Sequence, residues 1–226
     1  MITSDDTILV IAPHADDELI GLGGSLLKWK GLGSKTLITL VACSDIYMHH
    51  KKQVVEGSVR LHEFAEICGE ISSEEYINLG MKDSELDTHP LSQLVSQLDN
   101  IIEEFRPSVI IFPEPSYHQD HQYVNRACTA SLRPTKEYRP RLIMTYEIPT
   151  STWSGSASSF IPNYYVDISN FIEKKISLFN EVYISQFTQE SRQKLASQGI
   201  HDHAKYRGME CGKPYAESFR LLQFIN

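Results

Sequence analysis

The segment Thr7-Ile8-Leu9-Val10-Ile11-Ala12 runs straight into Pro13-His14-Ala15-Asp16-Asp17-Glu18. A short, nearly continuous apolar run without alternation predicts a strand buried on both faces. The acidic cluster after it suits the start of a helix, where carboxylates meet the positive end of the dipole. Leu19, Leu22, Leu26, Leu27 and Trp29 then recur at helical spacing, which predicts a helix over Glu18–Lys30.

The same alternation continues outward. Lys35–Ala42 reads as a second strand, Gln53–Gly69 as a second helix and Glu75–Leu79 as a third strand. Leu91–Phe105 carries a clear amphipathic stripe that Arg106-Pro107 ends, and Ser108–Phe112 is another buried strand. Beyond it, Arg141–Glu147 and Tyr164–Ile168 read as strands, Asn170–Ile184 as a helix, and the Ser/Thr-rich Thr150–Ser159 as a loop. Strands alternating with helices predict an α/β fold: a Rossmann-like, mostly parallel sheet flanked by helices, one domain over residues 1–226. In such sheets ligands bind beyond the carboxyl ends of the strands. The segments after Ala12 and after Phe112 are therefore the places to look.

Both carry metal-ligand chemistry: His14, Asp16 and Asp17 in the first, His118-Gln119-Asp120-His121 in the second. Imidazole and carboxylate are what a borderline divalent ion such as zinc accepts, and a catalytic site takes three protein ligands. His14 and Asp17, three apart across a strand-to-helix turn, can converge on one point with His121 as the third ligand. His118 is the rival for that place, being three residues away. A divalent ion there lowers the pKa of water from roughly 15.7 towards about 7. Asp16 beside the ligands is the natural base to take the proton and pass it to a leaving amine. His118 is then free to donate to the oxyanion, with Asp120 fixing its tautomer and, on this expectation, raising its pKa. Taken singly, the acidic residues suit a helix N-terminus and the histidines a surface loop. His-x-Asp-Asp-Glu arises by chance in on the order of one chain per thousand of this length, and a second His/Asp motif at another strand end makes coincidence a poor account.

At these residues the chain resembles the PIG-L/LmbE-like superfamily of zinc-dependent N-deacetylases. Val10 to Glu18 followed by Gly21-Leu22-Gly23-Gly24 resembles its opening signature, with Ala15 where proline is common, and His118 to His121 its second motif. Arg60, Glu63, Ala65, Gly80 and Asp83 resemble its middle pattern; Ser185-Gln186 and Tyr215–Arg220 resemble its C-terminal signatures. The resemblance implies one zinc per chain, or Fe²⁺ or another divalent ion, on His14, Asp17 and His121. It also implies Asp16 as base, His118 as stabiliser of the tetrahedral intermediate, and an N-acetylated sugar as substrate. Arg60 would contact a phosphate or carboxylate, and Asp83 sugar hydroxyls. Some members carry a carbonyl-polarising tyrosine where this chain has Ser116, with Tyr117 next to it.

Several other features bear on function. Trp153 suits a sugar-stacking wall, and ordinary packing equally well. His49-His50-Lys51-Lys52 and His201-Asp202-His203 read as polar loops rather than sites. The formal net charge of −8 disfavours nucleic acid and anionic membranes, and no apolar run is long enough to span a bilayer. Met1–Asp6 lacks a signal peptide's pattern, and four dispersed cysteines suit reduced thiols, so the cytoplasm is the expected location. Monomer and homo-oligomer both stay open. The competing readings are a non-catalytic glycan-binding protein with this fold and a non-haem iron oxygenase, whose facial triad uses the same residue types.

Overall fold

In the computed structural model, which describes residues 2–74, 76–149, 160–192 and 198–226, the apolar run Thr7–Ala12 is the middle of a parallel array. Along the chain come β1 (Thr7–Ala12), α1 (Asp17–Leu32), β2 (Lys35–Ala42), β3 (Ile46–Met48), β4 (Gln53–Val55), α2 (Gly57–Ile71) and β5 (Ile77–Met81). They are followed by α3 (Leu91–Phe105), β6 (Val109–Pro113), α4 (Gln119–Ser131), β7 (Leu142–Tyr146), β8 (Tyr164–Asp167) and α5 (Ile172–Glu181). The single turn α6 (Gln189–Arg192), α7 (His201–Cys211) and β9 (Ala216–Phe224) complete the order.

Seven strands form one sheet in the order β5-β2-β1-β6-β7-β9-β8. The first five run parallel, and β9 pairs antiparallel with both β7 and β8. Successive β1 side chains enter opposite layers. Ile8, Val10 and Ala12 pack with α1, α2 and α5; Leu9 and Ile11 pack with α3 and α4. The chain builds outward to β2 and β5 on one side of β1, and to β6 and β7 on the other. The cleft between β1 and β6 is therefore the topological switch point, and the two histidine motifs leave the sheet there. No described helix is long and apolar enough to cross a membrane.

Helix α1 is bent on purpose. Leu22 sits at φ −145°, ψ 18° inside it, because the N–H groups of Gly24 and Ser25 turn away to the Glu217 carboxylate at 2.9 and 2.7 Å. The Ile20 carbonyl thereby loses its helical donor and takes the Lys175 ammonium instead, at 2.7 Å. Lys175 also pairs with Glu217 at 2.7 Å, so a buried charge pair stitches α1 to α5 and β9. Close approach of α1 to β7 depends on Gly21, where a Cβ would lie 2.3 Å from a Tyr146 ring carbon. Gly21→Ala should therefore destabilise by about 1–3 kcal/mol, lowering Tm by roughly 2–12 °C for a chain of this size. An unchanged melting curve would mean that Tyr146 moves aside at no cost.

Four sequence expectations change. Gln53–Val55 belongs to a β3–β4 hairpin rather than to the helix, which starts at Gly57; a Cβ at Gly57 would press on the Ser44 backbone at 2.9 Å. The third strand starts at Ile77 rather than Glu75, and α5 is shorter than Asn170–Ile184. His201–His203 starts α7 instead of lying in a polar loop; α4, which His118 caps, had no counterpart in the sequence reading. Thr150–Ser159, with Trp153, lies outside the described residues.

Candidate active site

The first motif leaves β1 and turns sharply into α1. Asp17, at the first position of the helix, takes the His14 N–H on its Oδ2 at 3.0 Å. That oxygen also stands 3.3 Å from His14 Nδ1 and 3.2 Å from His121 Nε2, the latter delivered by the first turn of α4. The three candidate ligand atoms of His14, Asp17 and His121 lie within 4.8 Å of one another.

The far side of each ring is held. His14 Nε2 donates to Asp120 Oδ2 at 2.8 Å, and His121 Nδ1 faces the Ser116 hydroxyl at 2.9 Å. Such outer partners fix tautomer and ring direction at metal sites, and here they leave His14 Nδ1 and His121 Nε2 turned towards Asp17. Two imidazole nitrogens and one carboxylate so arranged fit a borderline divalent ion. The charge state agrees. Burial opposes a proton on His14, yet Asp120 and Asp17 outweigh it and lift its pKa to about 10. Burial likewise works against an ionised Asp17, but His121 and His14 hold it far below the usual carboxylate range. Surroundings that draw positive charge this strongly suit a cation in place of those protons.

Asp120 therefore does something other than the sequence suggested. It does not orient His118. Its Oδ2 serves His14 and accepts the Ser84 N–H at 2.7 Å, while its Oδ1 is buried with no hydrogen-bond partner among the described residues. His118 is the N-cap of α4, and its Nδ1 accepts the Asp120 backbone N–H at 3.2 Å. A cap two residues before Asp120 turns its ring onto the helix end, whereas the Asp120 carboxylate projects across to His14. The expected rise in the His118 pKa is also reversed. Burial, then the neighbouring His14 and His121 imidazoles, push it down to about 4. The ring is neutral at pH 7 and carries its proton on Nε2.

Asp16 sits between these groups at φ 137°, ψ −27°, a strained backbone of the kind found at functional sites, costing on the order of 1–3 kcal/mol. Burial, and then the nearby Asp17 and Glu18 carboxylates, raise its pKa well above the usual range. Glu18 is itself lifted to about 7 by burial, against the opposing pull of the Tyr183 hydroxyl that donates to it.

His14, Asp16 and His118 line two adjoining lobes of one cleft. The first, about 240 Å³, adds Asp17 and His121 and is walled by Ile20, Tyr117, Ile148, Pro149 and Phe187. Tyr117 stands half-exposed at this lobe. The second, about 160 Å³, is bounded by Ile46 and Met48 of the hairpin together with Arg60, Asp83, Ser84 and Gln186. Arg60 and Asp83 do reach the cleft, but they are engaged with each other. Arg60 Nη2 meets Asp83 Oδ1 at 2.8 Å with both side chains 2% exposed, and the other Asp83 oxygen accepts the Ser44 N–H at 2.7 Å. A phosphate or carboxylate on Arg60 would have to displace Asp83.

Other sequence candidates separate. His201 Nε2 contacts the Tyr215 hydroxyl at 2.8 Å, and His203 Nε2 contacts Glu147 at 3.3 Å, so the two rings are engaged with different partners. The His49–Lys52 segment is the hairpin turn, where His50 meets the Gln186 carbonyl at 3.0 Å and Lys51 the Ser185 carbonyl. Sequence reasoning missed Ser116 as the partner of His121 and Ser84 as the partner of Asp120. Serine in a loop carries no local signal for either.

Residues 9–132 match the family described as PIG-L: GlcNAc-PI de-N-acetylase. Diacetylchitobiose deacetylase of Thermococcus kodakarensis is 27% identical over 235 residues, covering 96% of this chain and 84% of the relative. A probable N-acetyl-alpha-D-glucosaminyl L-malate deacetylase 2 of Bacillus subtilis is 28% identical over 149 residues, 60% of this chain and 65% of its own. Among solved structures, N,N'-diacetylchitobiose deacetylase from Pyrococcus horikoshii shares the fold with a TM-score of 0.76 at 22% identity, covering 96% of this chain and 84% of that one. With the family match spanning more than half of the chain, including both histidine motifs, this protein belongs to the PIG-L family of de-N-acetylases.

Proposed function

We propose that this chain hydrolyses the N-acetyl group of an N-acetylated amino sugar or conjugate, using one divalent ion, zinc by the chemistry of the donors and Fe²⁺ as the alternative. The observation that carries the reading is the convergence of His14, Asp17 and His121 beside Asp16 at the switch point of the sheet. The names of the relatives, deacetylases of diacetylchitobiose and of glucosaminyl malate, support the substrate class.

His14, Asp17 and His121 would hold the ion, which when bound supplies Lewis-acid activation of water and of the amide carbonyl. The remaining steps fall to the chain's own groups. The Asp16 carboxylate takes the proton of the attacking water, whose oxygen bonds to the amide carbon. His118 Nε2–H donates to the carbonyl oxygen as negative charge gathers there. When the C–N bond breaks, Asp16 returns the proton to the departing nitrogen, giving the amine and acetic acid, whose own proton passes to the amine or to solvent to leave acetate. Tyr117, which lines the first lobe, would contact the sugar. Trp153 remains a proposed stacking wall from the sequence alone. Four free cysteines suit the reducing cytoplasm.

The test is an amine-release screen against N-acetylglucosamine, its β-linked disaccharide and an α-glycoside with a carboxylated aglycone, with elemental analysis alongside. The parent should carry about one divalent ion per chain and release amine from at least one compound. His121→Ala should lose ion and activity together. Full metal occupancy in His121→Ala would strike it from the ligand set, and a metal-loaded parent that bound sugars without turnover would favour the glycan-binding reading.

A further inference from the structure

The strained turn at Asp16 is held from outside the motif. Its own N–H donates to Glu18 Oε2 at 3.1 Å, and its carbonyl accepts from Leu19 and Ile20 at 3.1 and 2.9 Å. The preceding carbonyl, that of Ala15, has a distant partner: the buried Gln186 side chain donates to it through Nε2 at 2.8 Å. The direction of that amide is fixed in turn. Arg60 Nε donates to Gln186 Oε1 at 3.1 Å, so the oxygen faces the guanidinium and the NH₂ must face Ala15. Arg60 cannot swivel, because its other nitrogens bond the Ser44 carbonyl at 3.0 Å and Asp83 at 2.8 Å.

We propose that Gln186, oriented by Arg60, is a positioning residue that pins the Ala15–Asp16 peptide and so aims the Asp16 carboxylate into the cleft. Strained backbone persists only where its surroundings over-determine it. Rotating this one peptide by about half a turn would carry φ of Asp16 from positive to the ordinary negative range. Gln186 opposes that rotation, since it would tear the Ala15 carbonyl from its buried donor. Asp83, Arg60, Gln186 and Ala15 thus form one relay from the second lobe to the first. Arg60, which the sequence suggested as an anion contact, acts here through Gln186. The inference rests on Asp16 being the base.

Gln186→Met keeps the length of the side chain and removes the donor. Misplacement of a catalytic group by about 1 Å costs on the order of 10²-fold, so kcat should fall by about one to two orders of magnitude with KM and metal content near the parent, while Tm falls by a few degrees because Arg60 Nε also loses its acceptor. In an Asp16→Asn background the same change should cost less than about threefold, because the group it aims is gone. Equal losses in both backgrounds, or loss of metal, would overturn the proposal. A crystal structure of Gln186→Met decides the clamp independently. Residue 16 is expected to leave positive φ; retention of the parent turn with the carboxylate in place would sink the clamp whatever Asp16 does. A relaxed turn with undiminished turnover would instead count against Asp16 as base. If the methionine variant does not fold, Gln186→Glu keeps the acceptor for Arg60, removes the donor and serves the same readouts.

Discussion

Asp16→Asn should retain its metal and lose about two to four orders of magnitude in kcat, the usual span of general acid–base assistance. The substitution is nearly isosteric. Asparagine makes the same backbone demands as the aspartate it replaces, so the turn at φ 137° should survive, and the three proposed ligands are untouched. What disappears is the capacity to accept a proton. The surroundings favour that capacity in Asp16: burial beside Asp17 and Glu18 makes its carboxylate hold a proton more readily than an exposed one. Asp17, one residue on, faces His14 and His121 and is driven the opposite way. Two adjacent carboxylates with proton affinities pushed apart are the mark of divided roles. The measurement is kcat of Asp16→Asn beside its metal content. Turnover within a few-fold of the parent at full occupancy would remove Asp16 as the base and leave the water's proton to another group.

Much of this fold is legible in the sequence because burial on both faces leaves a plain signature. β6 reads as an unbroken apolar run, β1 as one after Thr7 and β2 as one interrupted by Thr39, and α3 repeats its apolar residues with a clean stripe. What escaped were elements whose polar residues are satisfied from far away. β9 contains Glu217, a charge that reads as surface until Lys175 arrives from α5 to meet it. α7 has a weak pattern because Arg207 turns inward to Glu147, 2.6 Å away and sixty residues earlier in the chain. The β3–β4 hairpin has strands of three residues, too short for periodicity to register. The candidate site divides the same way. The residue types and their strand ends are local, so His14, Asp17 and the His118–His121 motif could be brought together as candidate ligands from their placement in the sequence. The partners are tertiary: nothing in the chain says that Asp120 serves His14, that Ser116 serves His121 or that Gln186 reaches Ala15.

His118→Ala should lower kcat by about two to three orders of magnitude while metal content and KM stay near the parent, because one oxyanion donor is typically worth roughly 2.7–4 kcal/mol in the transition state. The geometry that supports this differs from the one the sequence suggested. His118 does not need a carboxylate to steady a charged ring. Its Nδ1 is occupied by the Asp120 backbone N–H, which leaves the neutral tautomer with Nε2–H as the donor. With the pKa held near 4 by burial and by two neighbouring imidazoles, the ring charges only as pH falls through about 4. His118 should therefore impose no inflection on kcat between about pH 5 and 8. The alanine variant also strips α4 of its cap, a loss of about 0.5–2 kcal/mol that a melting curve would register separately from kcat. His118→Asn separates the two effects: its side chain can still cap α4 but is too short to put a donor where the imidazole Nε2 lies. Its Tm should return towards the parent while kcat stays low. Recovery of kcat together with Tm would mean that His118 matters as a helix cap and not as a donor, and loss of metal in His118→Ala with metal kept in His121→Ala would reverse the two histidines.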